Sequence, residues 1–245
     1  MTLPIVEPAS APPEAPRIDA PVAAEWLVAF LQDELIARRG ISRAVIGLSG
    51  GVDSAVTTFL CARALGPENV YAIRMPYRSS HQSSLSDAKL VIDALRIPSR
   101  TIEISDAVDG YLQYEPDADA RRRGNVMART RMLVLFDQSA KLDALPIGTG
   151  NKTERLLGYF TWHADDTPPV NPIGDLFKSQ VWELARYLGV PQRLVEKAPT
   201  ADLEADQTDE ADLGISYARA DAILARLLQG YSDAKLVEQG FSPAE

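Results

Sequence analysis

The chain has 245 residues, 46% of them hydrophobic and 24% charged, enough for one α/β domain with a substantial core. A formal charge of −9 excludes a protein whose main partner is a nucleic-acid backbone, because that affinity comes from clustered Lys and Arg; the single cysteine, Cys61, excludes an internal disulfide framework or a Cys-rich zinc site and suits a core position in a reducing cytosol. No apolar stretch approaches the roughly 20 residues of a membrane helix and the start lacks a basic-then-apolar leader, so a cytoplasmic protein with no membrane partner is expected.

Residues 1–21 hold six of the 17 prolines (Pro4, Pro8, Pro12, Pro13, Pro16 and Pro21), which disfavours helix and strand and predicts an extended arm. That arm is either a dispensable tail or a segment packing across a dimer partner; residues 22–245 form one domain. Over residues 22–39 the apolar side chains Trp26, Leu27, Phe30, Leu31, Leu35 and Ile36 recur at helical spacing. A buried strand is predicted at 44–48, then a glycine loop and a helix at about 54–65. The unit repeats as strand 70–75, helix 83–95, strand 101–104, helical segments over 106–141 and strand 145–148. Beyond Pro172 the chain reads as helices at 177–188, 191–197, 216–229 and 232–239, with a polar loop at 200–214. Strands alternating with helices indicate parallel βαβ crossovers, hence an α/β fold with a doubly wound parallel sheet and helices on both faces. Ligands of such sheets bind beyond the strand C-terminal ends, where the stretches 49–54 and 148–154 both fall.

The first stretch, Ser49-Gly50-Gly51-Val52-Asp53-Ser54, stands between strand and helix and suits phosphate. The glycines let backbone N–H groups approach oxygens, the serines add hydroxyls, and a helix N-terminus favours negative charge. A carboxylate beside phosphate is repulsive unless a cation lies between them, so Asp53 predicts a Mg2+ ligand. The loop has no Walker lysine.

This loop resembles the signature of the ATP pyrophosphatase superfamily, which cleaves ATP between the α and β phosphates. Later stretches select a branch of it. Gly124-Asn125-Val126-Met127-Ala128-Arg129-Thr130-Arg131-Met132, Gly148-Thr149-Gly150-Asn151-Lys152-Thr153-Glu154, Gly158-Tyr159-Phe160-Thr161, Lys178, Pro199-Thr200-Ala201-Asp202-Leu203, Gln207-Thr208-Asp209-Glu210 and Leu213-Gly214-Ile215-Ser216-Tyr217 are similar in order and spacing to ammonia-dependent NAD synthetases over residues 22–230. The resemblance implies that Gly47, Leu48, Ser49, Gly50, Gly51, Val52, Asp53 and Ser54 hold ATP with Thr149, Lys178 and Thr200, and that Asp53 and Glu154 hold Mg2+. Asp53, Glu154 and Lys178 are the implied catalytic set, and Arg129 would face the dinucleotide. Taken alone, Lys178 reads equally as a solvated lysine, Glu154 as a first-turn glutamate favoured by the helix dipole, and Arg129 as a surface ion-pair partner. Phe160 and Tyr159 are either stacking platforms or core. The polar run 200–210 is either a loop closing over ATP or a solvated turn.

The chain departs from the family pattern at Trp162-His163-Ala164-Asp165-Asp166-Thr167-Pro168-Pro169. Trp162 stands where the family has Lys, Asp165 falls on its first Asp, Pro169 replaces its second, and the usual C-terminal His-Lys pair is missing. Either His163, Asp165, Asp166 or Trp162 grips deamido-NAD differently, or the acid is another carboxylate such as nicotinate mononucleotide. The implied reaction is amidation through an acyl-adenylate, with release of AMP and pyrophosphate, by a C–N ligase. The expected nitrogen source is ammonia, free or from a separate glutaminase subunit, because the length leaves no room for an amidase domain. The family implies a homodimer. A tRNA-thiolating enzyme would want a reactive cysteine pair and a basic surface; a non-enzymatic nucleotide-binding module would be expected to lose Asp53, Glu154 or Lys178.

Overall fold

A computed structural model describes residues 13–200 and 208–245. Four parallel strands, β1 (Ala44–Gly47), β2 (Val70–Arg74), β3 (Ser99–Thr101) and β4 (Leu145–Pro146), lie in the order β3-β2-β1-β4. Beyond β4, Ile147 makes a parallel bridge to Val170, so a further extended stretch lies along that edge. The chain winds outward from β1 to β3, then returns to the other side of β1 to form β4. The switch point between β1 and β4 opens a crevice at the strand C-terminal ends.

Alternation along the strands divides the core. Ala44, Ile46, Val70 and Ala72 join a large cluster with α1 (Ala20–Gln32), α2 (Val52–Leu65), α3 (Gln82–Leu95) and α7 (Lys178–Leu188), through Leu31, Val56, Leu60, Val91, Val181 and Leu184. Val45 and Ile73 point the other way, against Leu135 of α5 (Ala120–Leu142) and Ala144. On that same side α4 (Ser105–Leu112) packs on α5 through Val108, Leu112 and Met127. The predicted doubly wound sheet with helices on both faces is therefore what forms. Helix α2 is buried almost all round and holds Cys61, whose thiol pKa burial pushes up, as befits a packing residue. The smaller helices are α6 (Lys152–Leu157), α8 (Gln192–Glu196), α9 (Asp209–Leu213), α10 (Tyr217–Leu228) and α11 (Asp233–Glu238).

Several boundaries move. Helix α1 begins at Ala20, where Asp19 accepts the Val22 amide at 3.1 Å, and it continues as a π-helical turn over Asp33–Ala37. The third strand forms at 99–101 rather than 101–104: the apolar signal came from Ile102 and Ile104, and Ile104 turns under α4 as a buried residue. The polar loop expected over 200–214 contains the short helix α9. Of the arm, residues 16–18 lie on α7 of their own chain, where the Ile18 amide donates to Glu183 at 3.2 Å and Gln180 donates to the Arg17 carbonyl at 3.2 Å; residues 1–12 lie outside the described part. Among the described residues no helix is long and apolar enough to cross a membrane.

Candidate active site

The loop after β1 is tied by its own hydroxyls. Ser54 Oγ donates to the Gly51 carbonyl at 3.1 Å and accepts the Ser49 amide at 3.3 Å, and Ser49 Oγ accepts the Gly51 amide at 3.2 Å. Gly50 sits at φ +85°, and a Cβ there would lie 2.3 Å from the Ser84 carbonyl oxygen, so only glycine fits between this loop and α3. Gly51 caps α2 without a side-chain acceptor, which leaves the first-turn amides of a 14-residue helix for a ligand.

Four side chains from four separate elements meet beside this loop. Lys178, the first residue of α7, is 1% exposed; its Nζ donates to Asp53 Oδ2 at 2.5 Å and lies 3.5 Å from Glu154 Oε1. Asp209 of α9 is also buried and adds its field to the same ammonium. Burial alone would lower the Lys178 pKa, but Asp53 and Glu154 outweigh it and the net shift is upward. Burial raises the Glu154 pKa, and the charge of Asp53 adds to this against the pull of Lys178. Burial likewise raises Asp209. Three carboxylates converge on one ammonium, an arrangement deficient in positive charge.

Lys178 is thus no solvated lysine. Glu154 satisfies both readings of it at once: its Oε2 accepts the Asn151 amide at 3.1 Å in a capping box, while its Oε1 faces Lys178. The cavity around this cluster has a volume of about 690 Å³ and is lined by Gly47, Leu48, Ser49, Gly51, Val52, Asp53, Ser54, Thr149, Glu154, Phe160, Asp165, Lys178 and Thr200. Gly50 turns away from it, against α3. Arg129, Trp162 and His163 are not among the residues that form its wall. Arg129 Nε donates to the Trp162 carbonyl at 3.1 Å, and Trp162 is 66% exposed with its ring edge-on to His163, which adopts a positive φ of 60°. Asp165 Oδ1 accepts the Thr161 amide at 2.9 Å. Residues 201–207 of the polar run lie outside the described residues; of the stretch 200–214, Thr200, Asp209 and Asp212 line the cavity.

Sequence reasoning missed four members. Asn151 is fully buried; its Nδ2 donates to Asp53 Oδ1 at 3.1 Å and its Oδ1 accepts the Glu154 amide at 2.9 Å, linking the two carboxylates. The Asn-x-x-Glu spacing of a capping box was the available signal. Tyr217 is buried, donates to Asp209 Oδ2 at 2.9 Å, and lays its ring 4.9 Å from Lys178 Nζ. Tyr159 lines the cavity and donates its hydroxyl to Asp209 at 3.2 Å and to Asp212 at 2.9 Å, contacts the sequence did not suggest. Arg74, the last residue of β2, lines the cavity with a buried Nε that has no acceptor among the described residues; a cation closing an apolar strand was its signal. A second hollow, of about 790 Å³ and bordered by Trp26, Phe30 and Leu156, lies between α1 and α6 and contains none of the cluster.

The sequence matches the NAD synthase family over residues 23–243. An NH3-dependent NAD(+) synthetase of Fusobacterium nucleatum is 51% identical over 213 residues, covering 87% of this chain and 81% of that protein. Among solved structures, the NMN synthetase of Francisella tularensis superposes with a TM-score of 0.81 at 33% identity, with 91% of each chain covered. The NH3-dependent NAD synthetase of Campylobacter jejuni gives a TM-score of 0.72 at 33% identity over 91% of this chain and 92% of the other.

Proposed function

Because the chain belongs to the NAD synthase family, we propose that it joins ammonia to the carboxylate of deamido-NAD at the expense of ATP, forming NAD, AMP and pyrophosphate. The observation that carries this reading is the convergence of Asp53, Glu154 and Lys178 beside the uncapped N-terminus of α2. Such a site holds a triphosphate by its middle and can stabilise the pyrophosphate that leaves.

A divalent cation fits the donor set. Both carboxylates reach one ammonium, which marks a point that a cation can share between them, and oxygen donors suit Mg2+. Among the described residues no cluster of three or more His, Cys, Asp or Glu side chains is arranged for a metal, so phosphate oxygens would complete the shell. Bound on Asp53 and Glu154, Mg2+ would neutralise phosphate charge and make the α-phosphorus more electrophilic. The rest falls to the protein. The α2 amides and Ser49 and Ser54 orient the phosphates, Arg74 offers an unpaired donor to an anion, and Lys178 faces charge developing on the departing pyrophosphate. The acid's carboxylate oxygen bonds to the α-phosphorus as the bond to the bridging oxygen breaks. Ammonia then attacks the acyl carbon, the C–O bond to AMP breaks, and the nitrogen loses a proton. No side-chain nucleophile is required. Phe160 and Asp165 line the acid end, and Thr149 and Thr200 the ATP end.

We further take residues 22–245 as one catalytic unit, cytoplasmic and working as a homodimer, with ammonia as the direct nitrogen source. A second reading, amidation of nicotinate mononucleotide, is favoured by two observations: Arg129, Trp162 and His163 stand off the cavity wall, and the Francisella tularensis neighbour is an NMN synthetase. Purified protein with MgATP and ammonium should release pyrophosphate with deamido-NAD and yield NAD by mass spectrometry. Release with nicotinate mononucleotide alone would establish the second reading, and silence with both acids would end the assignment to nicotinamide nucleotides.

A further inference from the structure

One carboxylate near the cluster lies outside the cavity wall and forms no ion pair among the described residues. Asp221, in α10, has no exposed surface. Its Oδ1 accepts the Thr153 hydroxyl at 2.5 Å and its Oδ2 accepts the Ser179 amide at 2.8 Å. The Thr153 oxygen in turn accepts the Lys178 amide at 2.9 Å. Thr153 immediately precedes Glu154, and Ser179 immediately follows Lys178. A third helix therefore ties together the first turns of α6 and α7, through the neighbours of two groups that face each other across the cluster.

This arrangement is more than a way to cap a helix. The residue before α7 is Phe177, which offers no side-chain oxygen, so the first two amides of α7 take their acceptors from α6 and α10 instead. A buried carboxylate is costly unless hydrogen-bonded, and here both oxygens are used, at the positive end of an eleven-residue helix. Tyr217, four residues earlier in α10, is also buried and holds Asp209. Two polar side chains on one face of α10 thus brace the cluster from behind.

We propose that Asp221 is a positioning residue: through Thr153 and Ser179 it sets the spacing between Glu154 and Lys178, and so the affinity of the site for its divalent cation. This rests on the reading that Asp53 and Glu154 hold that cation. The test uses the full chain, with Mn2+ binding followed by electron paramagnetic resonance in the presence of the α,β-methylene analogue of ATP, together with thermal midpoints. Asp221→Asn and Thr153→Val should each weaken Mn2+ binding by about 10- to 100-fold, the usual effect of losing a group that orients a metal ligand. The double variant should lose less than the two single losses combined, because both substitutions break the Asp221–Thr153 link. Leu236→Ala, a packing loss in the cluster between α10 and α11, should lower the thermal midpoint and leave Mn2+ affinity unchanged. Wild-type Mn2+ affinity in Asp221→Asn or in Thr153→Val, or additive losses in the pair, would overturn the proposal. If Asp221→Asn does not fold, Thr153→Val alone decides. A wild-type protein that binds no Mn2+ with the analogue would instead remove the metal reading of Asp53 and Glu154, and this proposal with it.

Discussion

The two ends of the cavity are built differently. The proposed ATP end rests on the glycine loop, the start of α2 and a buried cluster in which Asp53, Asn151, Glu154 and Lys178 hold one another. The proposed acid end rests on residues 158–169, a surface stretch in which Asp165 accepts the Thr161 amide, Asp166 accepts the Ala164 amide at 3.0 Å, and Trp162 stands mostly in solvent. On the proposed assignment, the groups that handle ATP fix one another in a buried cluster, and the stretch that would choose the acid lies at the surface.

If that contrast holds, substitutions at the ATP end should be severe and independent of the acid. Lys178→Met, which keeps much of the volume but removes the charge, should lower kcat about 100- to 1000-fold with either acid. It should also lower the thermal midpoint, since breaking a buried ion pair costs about 3–5 kcal/mol. Steady-state kinetics and calorimetry check both. Asp53→Asn keeps the hydrogen-bonding shape toward Asn151 but removes one charge of the pair facing Lys178; exchange of pyrophosphate into ATP should fall by roughly 100-fold or more, and excess Mg2+ should not restore it. Gly50→Ala forces a left-handed backbone on a residue with a Cβ, at about 1–2 kcal/mol, and drives that Cβ into Ser84. The Michaelis constant for ATP should rise several-fold, with a midpoint loss of roughly 2–4 °C per kcal/mol.

At the acid end the effects should be small and selective. If its ring stacks on the acid, Trp162→Ala should raise the Michaelis constant for the acid by about 2- to 10-fold, the worth of one aromatic contact, and leave that for ATP unchanged. An equal loss for ATP would mean that the two ends are not separate.

The same contrast decided what could be read in advance. The doubly wound sheet was legible because strand and helix periodicities are local, and the loop at 49–54 because two glycines between an apolar run and a helix leave few other uses. Lys178 was legible only through family resemblance: its partner Asp53 lies 125 positions away, and nothing local marks it as buried. Asn151, Tyr217 and Arg74 escaped for the same reason, since their roles depend on which distant elements the topology brings to the switch point. The contacts of the Tyr159 hydroxyl escaped likewise, since they depend on carboxylates supplied by α9. At residues 162–169 no periodicity, cap or glycine signal bears on how the side chains lie, and the departures there were visible while their consequence was not.

The proposed mechanism turns on activation of the acid by its transfer to the α-phosphate of ATP. Deamido-NAD carrying ¹⁸O in its nicotinate carboxylate, turned over with MgATP and ammonium, tests this in one mass spectrum. One ¹⁸O atom should appear in AMP and none in pyrophosphate, with the other retained in the new amide. Label appearing in pyrophosphate or inorganic phosphate, or AMP formed without label, would contradict it.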